Sequence, residues 1–217
     1  MGCELKLFKE LELFSKEYMG SRDCFVCACG SYASKDFTKD SDLDLLFAFK
    51  EYNLADFKKV RDFVVDLHIR NNLKLDEEVP YETKLVVSYK DIEDAINLKS
   101  FIKNGSKYLI PPIIYDKGFL ASRELRMRMI LNALTTPNLY IYGDKEKYMI
   151  FRQEAEKAIL RLAQGLATKN DVTNKEIFDI LTVGSHGEEG QAHLGYKKER
   201  KKVIKYLKEI IFRNSIS

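Results

Sequence analysis

The chain has 217 residues, with 36 lysines and arginines against 33 aspartates and glutamates, a formal charge of +3. At 45% hydrophobic and 32% charged, the composition is that of a folded protein with a sizeable core and excludes a disordered chain. A balance of +3 does not by itself mark a nucleic-acid binder, and no apolar run approaches the roughly 18 residues that cross a bilayer.

Residues 4–19 predict an amphipathic helix, with Leu7, Leu11 and Phe14 on one face and Gly20 as its stop. Met1 to Lys6 lack a basic stretch followed by an apolar one, so no secretory signal is read and a cytoplasmic location is expected. Residues 24–29, CFVCAC, form the short apolar run of a buried strand and lead into Gly30-Ser31. Cys24, Cys27 and Cys29, with Cys3, could be read as zinc ligands, but no second paired cluster completes a tetrahedral site. The expectation is small buried residues in a reduced protein.

Residues 32–41 are small and polar, and 42–49 predict a second strand with acids at alternating positions. Asn53 opens a helix reaching residue 71, faced by Leu54, Phe57, Val60, Val64 and Leu67. Residues 73–79 alternate as a strand ended by Pro80. Residues 84–89 read as another strand, 91–103 as a helix, and Pro111-Pro112 as the start of an extended stretch to Tyr115.

After Gly118 the texture becomes helical, over 120–134, 144–168, 173–183 and 196–213. The breaks are Thr136-Pro137-Asn138, Gly143, Asn170-Asp171 and the glycine-rich run 184–195. This predicts an α/β half, residues 1–119, followed by a helical half, residues 120–217. Charge divides at the same place. Residues 1–119 hold 18 basic and 21 acidic residues, a balance of −3, whereas 120–217 hold 18 and 12, a balance of +6.

Chemistry concentrates in Gly30-Ser31 and in Ser41-Asp42-Leu43-Asp44-Leu45. On a strand, residues i and i+2 share a face, so Asp42 and Asp44 would project together while Leu43 and Leu45 enter the core. Neighbouring carboxylates repel unless a cation lies between them, and hard oxygen ligands suit Mg²⁺, which commonly also takes phosphate oxygens. A Gly-Ser turn at a strand end lets the backbone approach a ligand and offers a hydroxyl and N–H groups to an anion. A cation site beside a phosphate cradle points to nucleoside triphosphate chemistry.

The pattern Gly30-Ser31, a spacer of about ten residues, then Asp42-Leu43-Asp44 resembles the signature of the nucleotidyltransferase superfamily that includes polymerase β and kanamycin nucleotidyltransferase. The resemblance implies an α+β fold, a mixed sheet with flanking helices, followed here by a helical C-terminal domain. It implies that Asp42 and Asp44 hold a pair of Mg²⁺ ions with a third acid, Asp76 or Glu78, that also serves as metal ligand or general base. Ser31 would contact the β- and γ-phosphates of a nucleoside triphosphate such as ATP. The reaction implied is transfer of a nucleoside monophosphate to an acceptor hydroxyl, with release of pyrophosphate. The acceptor would be a small molecule, an antibiotic among the options, or a protein. By similarity to the kanamycin enzyme, the helical half would bind acceptor or form a homodimer.

Further basic candidates are Lys84, at a strand start beside the acids, and Arg123, with Arg126 and Arg128 on the same helix, whose guanidinium forks match phosphate. The 184–195 run, with His186 and His193, reads as a connection or an acceptor-binding loop. Two further readings compete: template-independent addition of nucleotides to RNA, against which the near-neutral charge speaks, and a non-catalytic binding or antitoxin module.

Overall fold

A computed structural model describes residues 2–35, 37–38, 41–74, 86–97, 123–135 and 137–167. In chain order the elements are α1 (Gly2–Met19), β1 (Cys24–Cys29), α2 (Gly30–Ser34), β2 (Asp44–Phe49), α3 (Leu54–Arg70), β3 (Val86–Ser88), α4 (Tyr89–Ile96), α5 (Arg123–Thr135), β4 (Asn138–Gly143) and α6 (Lys145–Ala167). The strands form one mixed sheet in the order β3-β2-β1-β4, with β1 antiparallel to β2 and β4, and β2 parallel to β3. No described helix is long and apolar enough to cross a membrane.

All six residues of β1 are buried because helices cover both faces of the sheet. Cys24, Val26 and Ala28 face Leu7 and Leu11 of α1 and Val60, Val64 and Leu67 of α3. Phe25 and Cys27 face Ile92 of α4, Ile130 and Leu134 of α5, and Phe151 of α6. Full burial of a side chain such as Phe25 or Phe47 contributes about 2–3 kcal/mol. Cys24 and Cys27 therefore lie on opposite faces and cannot converge on one ion. Cys24, Cys27 and Cys29 are buried free thiols, as the apolar run predicted.

The connection β2-α3-β3 returns the chain to a parallel neighbour, which requires a crossover such as this helix. Asn53 starts α3 with a reciprocal cap: its side chain accepts from Ala55 and Asp56, while Asp56 accepts from the Asn53 N–H.

The structure departs from the sequence reading at three points. Asp42 and Leu43 precede β2, which starts at Asp44 rather than at residue 42. Leu73 and Lys74 form no strand, and Leu73 turns back to donate to the His68 carbonyl at 2.9 Å. The segment 138–143, read only as breaks between helices, is the strand β4 on the free side of β1. The sheet thus takes its fourth strand from beyond residue 119. Ile141 is the extra residue of a bulge in that pairing, between Val26↔Tyr142 and Cys27↔Tyr140. The expected strand at 75–79, the extended stretch at 111–115, the helices at 173–183 and 196–213, and the loop 184–195 lie outside the described residues.

Candidate active site

Antiparallel pairing sets Cys29, the last residue of β1, opposite Asp44, the first of β2. The chain leaves the sheet at Cys29, runs straight into α2, and re-enters the sheet at Asp44. Gly30 adopts φ +71, and a Cβ built on it would lie 2.9 Å from Asp44 Oδ2. Only glycine fits this close to the carboxylate. The Gly30 amide donates to the Pro137 carbonyl at 3.2 Å, so the start of β4 braces the turn. Ser31 follows in the first turn of α2, half-buried, and its carbonyl accepts from the Ser34 hydroxyl at 3.1 Å.

Several local contacts hold the loop. Tyr32 and Phe37 stack with centroids 4.4 Å apart and planes 4° from parallel. Thr38 and Ser41 close a turn just before Asp42: the Thr38 amide donates to Ser41 Oγ at 2.9 Å, and the Ser41 amide donates to the Thr38 carbonyl at 3.1 Å. Leu43 and Leu45 are buried in the α1/α3 core, as their alternation predicted. Asp42 and Asp44 are half-buried at the sheet end.

His68, which the sequence reading passed over, also reaches this segment. It is buried in α3, and its Nε2 accepts the Leu43 amide at 3.3 Å while Nδ1 donates to the Val64 carbonyl at 2.7 Å. Its signal was its spacing, four residues after Val64 on the helix face that enters the core.

The structure thus sets Gly30 against Asp44, with Ser31 and Asp42 close to them in the chain. Asp76, Glu78 and Lys84 lie outside the described residues. Among the described residues, no group of three His, Cys, Asp or Glu side chains gathers to hold an ion. Arg126, a sequence candidate for phosphate, is engaged in the fold. Its Nη2 donates to Tyr52 Oη at 2.9 Å, to the Val86 carbonyl at 2.8 Å and to Asp91 Oδ2 at 3.1 Å, tying α5 to β3 and to the start of α4. Arg123 begins α5 one turn earlier, whereas the other end of α5 leads through Pro137 to Gly30.

Residues 9–109 match a family model, that of the nucleotidyltransferase domain. No curated protein and no solved structure matches the chain.

Proposed function

We propose that the chain, whose residues 9–109 match the nucleotidyltransferase domain model, belongs to that superfamily and transfers a nucleoside monophosphate from a nucleoside triphosphate to an acceptor hydroxyl. The observation that carries this reading is the meeting of Gly30 and Asp44. Two short motifs converge at one sheet end, where Gly30 lies too close to the Asp44 carboxylate for any side chain.

The donors suit a hard divalent cation in chemical type: Asp42 and Asp44 offer carboxylate oxygens near the sheet end, and Gly30 keeps any side chain away from the Asp44 carboxylate. These two residues would hold Mg²⁺, with Asp76 or Glu78 as the third acid. When bound, Mg²⁺ neutralises triphosphate charge and lowers the pKa of an acceptor hydroxyl.

The chain's own groups do the rest. Gly30 lets a phosphate approach the backbone, and Ser31 offers its hydroxyl to the β- and γ-phosphates. The loop contacts fix both acids before substrate arrives, which removes reorganisation from the reaction. The acceptor oxygen attacks the α-phosphorus, the bond to the β-phosphate oxygen breaks, and pyrophosphate leaves with that electron pair. Asp76 or Glu78 would take the acceptor's proton. The basic balance of residues 120–217 supports a role for that half in receiving phosphate or acceptor.

The test incubates the full chain with each labelled nucleoside triphosphate, Mg²⁺ and acceptors including small alcohols, aminoglycosides, proteins and RNA. An Asp42→Ala/Asp44→Ala chain runs alongside. Label transfer by the wild type alone supports the reading, and equal transfer by the double variant overturns it. Binding of Mg²⁺ and nucleotide with no transfer to any acceptor would favour the binding module instead.

A further inference from the structure

We propose that His68 is a positioning residue for the acid pair, fixing the peptide plane that joins Asp42 to Leu43. The proposal rests on the transferase reading for its consequence, and on geometry for its substance.

Leu43 is buried and precedes β2, whose pairing with β1 ends at the Cys29–Asp44 pair. Its N–H therefore lies beyond the ladder, and a buried amide needs a partner. His68 Nε2 supplies one at 3.3 Å. The two neighbours settle the tautomer. A carbonyl only accepts, so the Nδ1 that lies 2.7 Å from the Val64 oxygen carries the hydrogen. An amide only donates, so Nε2 is bare.

His68 is 2% exposed, and its Nδ1 bonds its own helix one turn back. It is thus a rigid post rising from α3. The Leu43 amide belongs to the plane that sets ψ of Asp42 and φ of Leu43. Holding that plane sets how the carboxylates on either side of Leu43 are directed. Groups that orient ligands in this way typically affect metal affinity by about tenfold or more when removed.

The experiment has two parts. In the wild-type chain, the ¹⁵N shifts of the His68 ring report its tautomer. A bare Nε2 with Nδ1–H is expected, and a hydrogen on Nε2 overturns the proposal. The second part compares His68→Gln with His68→Asn, the same amide at two reaches. Glutamine places an oxygen near the position of Nε2, whereas asparagine mimics Nδ1, keeping a donor for Val64 and losing the acceptor for Leu43.

The expected result is slow exchange of the Leu43 amide in the wild type and in His68→Gln, and exchange faster by about tenfold in His68→Asn. Mn²⁺ affinity, read by electron paramagnetic resonance without nucleotide, should fall about tenfold in His68→Asn and be rescued in His68→Gln. Equal behaviour of the two variants overturns the proposal. If neither folds, the tautomer and the Leu43 exchange of the wild type decide. A wild-type chain that takes up no Mn²⁺ counts against the transferase reading, and the Leu43 exchange contrast then judges the His68 bond alone.

Discussion

Gly30 and Asp44 face each other so closely that a Cβ on the glycine would stand 2.9 Å from the Asp44 Oδ2 oxygen. Their meeting follows from register: Cys29 pairs with Asp44, so the residue after β1 and the residue that opens β2 share one corner of the sheet. The carboxylate and the turn are therefore a single device, and altering either disturbs the other.

Gly30→Ala should accordingly impair transfer more than folding. The positive φ costs about 1–3 kcal/mol for a residue with a Cβ, and the new methyl pushes the Asp44 carboxylate aside. A displacement of about 1 Å at a reacting centre is enough to lower turnover by roughly a hundredfold. Steady-state label transfer, paired with a thermal melt, checks this. Wild-type turnover in a folded Gly30→Ala chain would contradict it.

The acid motif, the Gly-Ser turn and the strand at 24–29 were legible because each is local: an apolar run, a glycine, an alternation of acids and leucines. β4 was not. Leu139 to Tyr142 have a strand's composition, but Pro137 and Gly143 bound so few residues that they read as turn punctuation between helices. Only pairing to β1, more than a hundred residues earlier, makes them a strand. The packing of Arg126 was hidden for a similar reason. Its guanidinium matches phosphate in the abstract, yet tertiary packing gives it the Val86 carbonyl and Asp91 instead. His68 escaped notice because a histidine on an apolar helix face looks like core until the far partner, Leu43, is known.

A second prediction concerns acid stability. Arg22 grips Asp56 through both Nη nitrogens, Nη2 lying 3.0 Å from Oδ2, and Tyr18 donates to Oδ1 at 2.8 Å. The Arg22 guanidinium, opposed by burial and helped by the Asn53 amide and Tyr18, brings the Asp56 carboxyl down from 3.8 to about 2. A depressed carboxylate contributes stability above its unfolded pKa and loses it as pH falls through the folded one. The contribution, up to about 2 kcal/mol, should be intact at pH 6 and fade between about pH 4 and pH 2. Urea unfolding across that range should show Asp56→Asn well below wild type at pH 6 and converging with it at pH 2. A constant gap would contradict the assignment.

The thiols of β1 should be inert in the folded chain. Burial pushes Cys27 up to about 12 and Cys24 up to about 11, and only the thiolate reacts at a useful rate. Residues 23–35 form one tryptic peptide carrying Cys24, Cys27 and Cys29. Its mass should be unchanged after native treatment with iodoacetamide at pH 8 and should gain three adducts in urea. Rapid native labelling would show that the sheet centre opens readily, contrary to its burial beneath helices on both faces.

Gly143 supplies the contrast to Gly30. It adopts φ +97 at the end of β4, where a Cβ would run into the Cys24 carbonyl oxygen and lie 2.8 Å from Phe25 Cα. Both obstacles are backbone of the central strand, so neither can yield without disturbing the sheet. Strained φ and overpacking each cost about 1–3 kcal/mol, and for a chain of this size the melting temperature should drop on the order of 10 °C. Yet Gly143 borders the start of β1, whereas Gly30 follows its end. Gly143→Ala should therefore melt early but retain near wild-type turnover per folded molecule at low temperature, the reverse of Gly30→Ala. Measuring turnover and melting temperature for both variants separates what the sheet requires to fold from what its acid corner requires to act. A Gly143→Ala chain that stays folded yet loses turnover would show that the two ends of β1 are coupled.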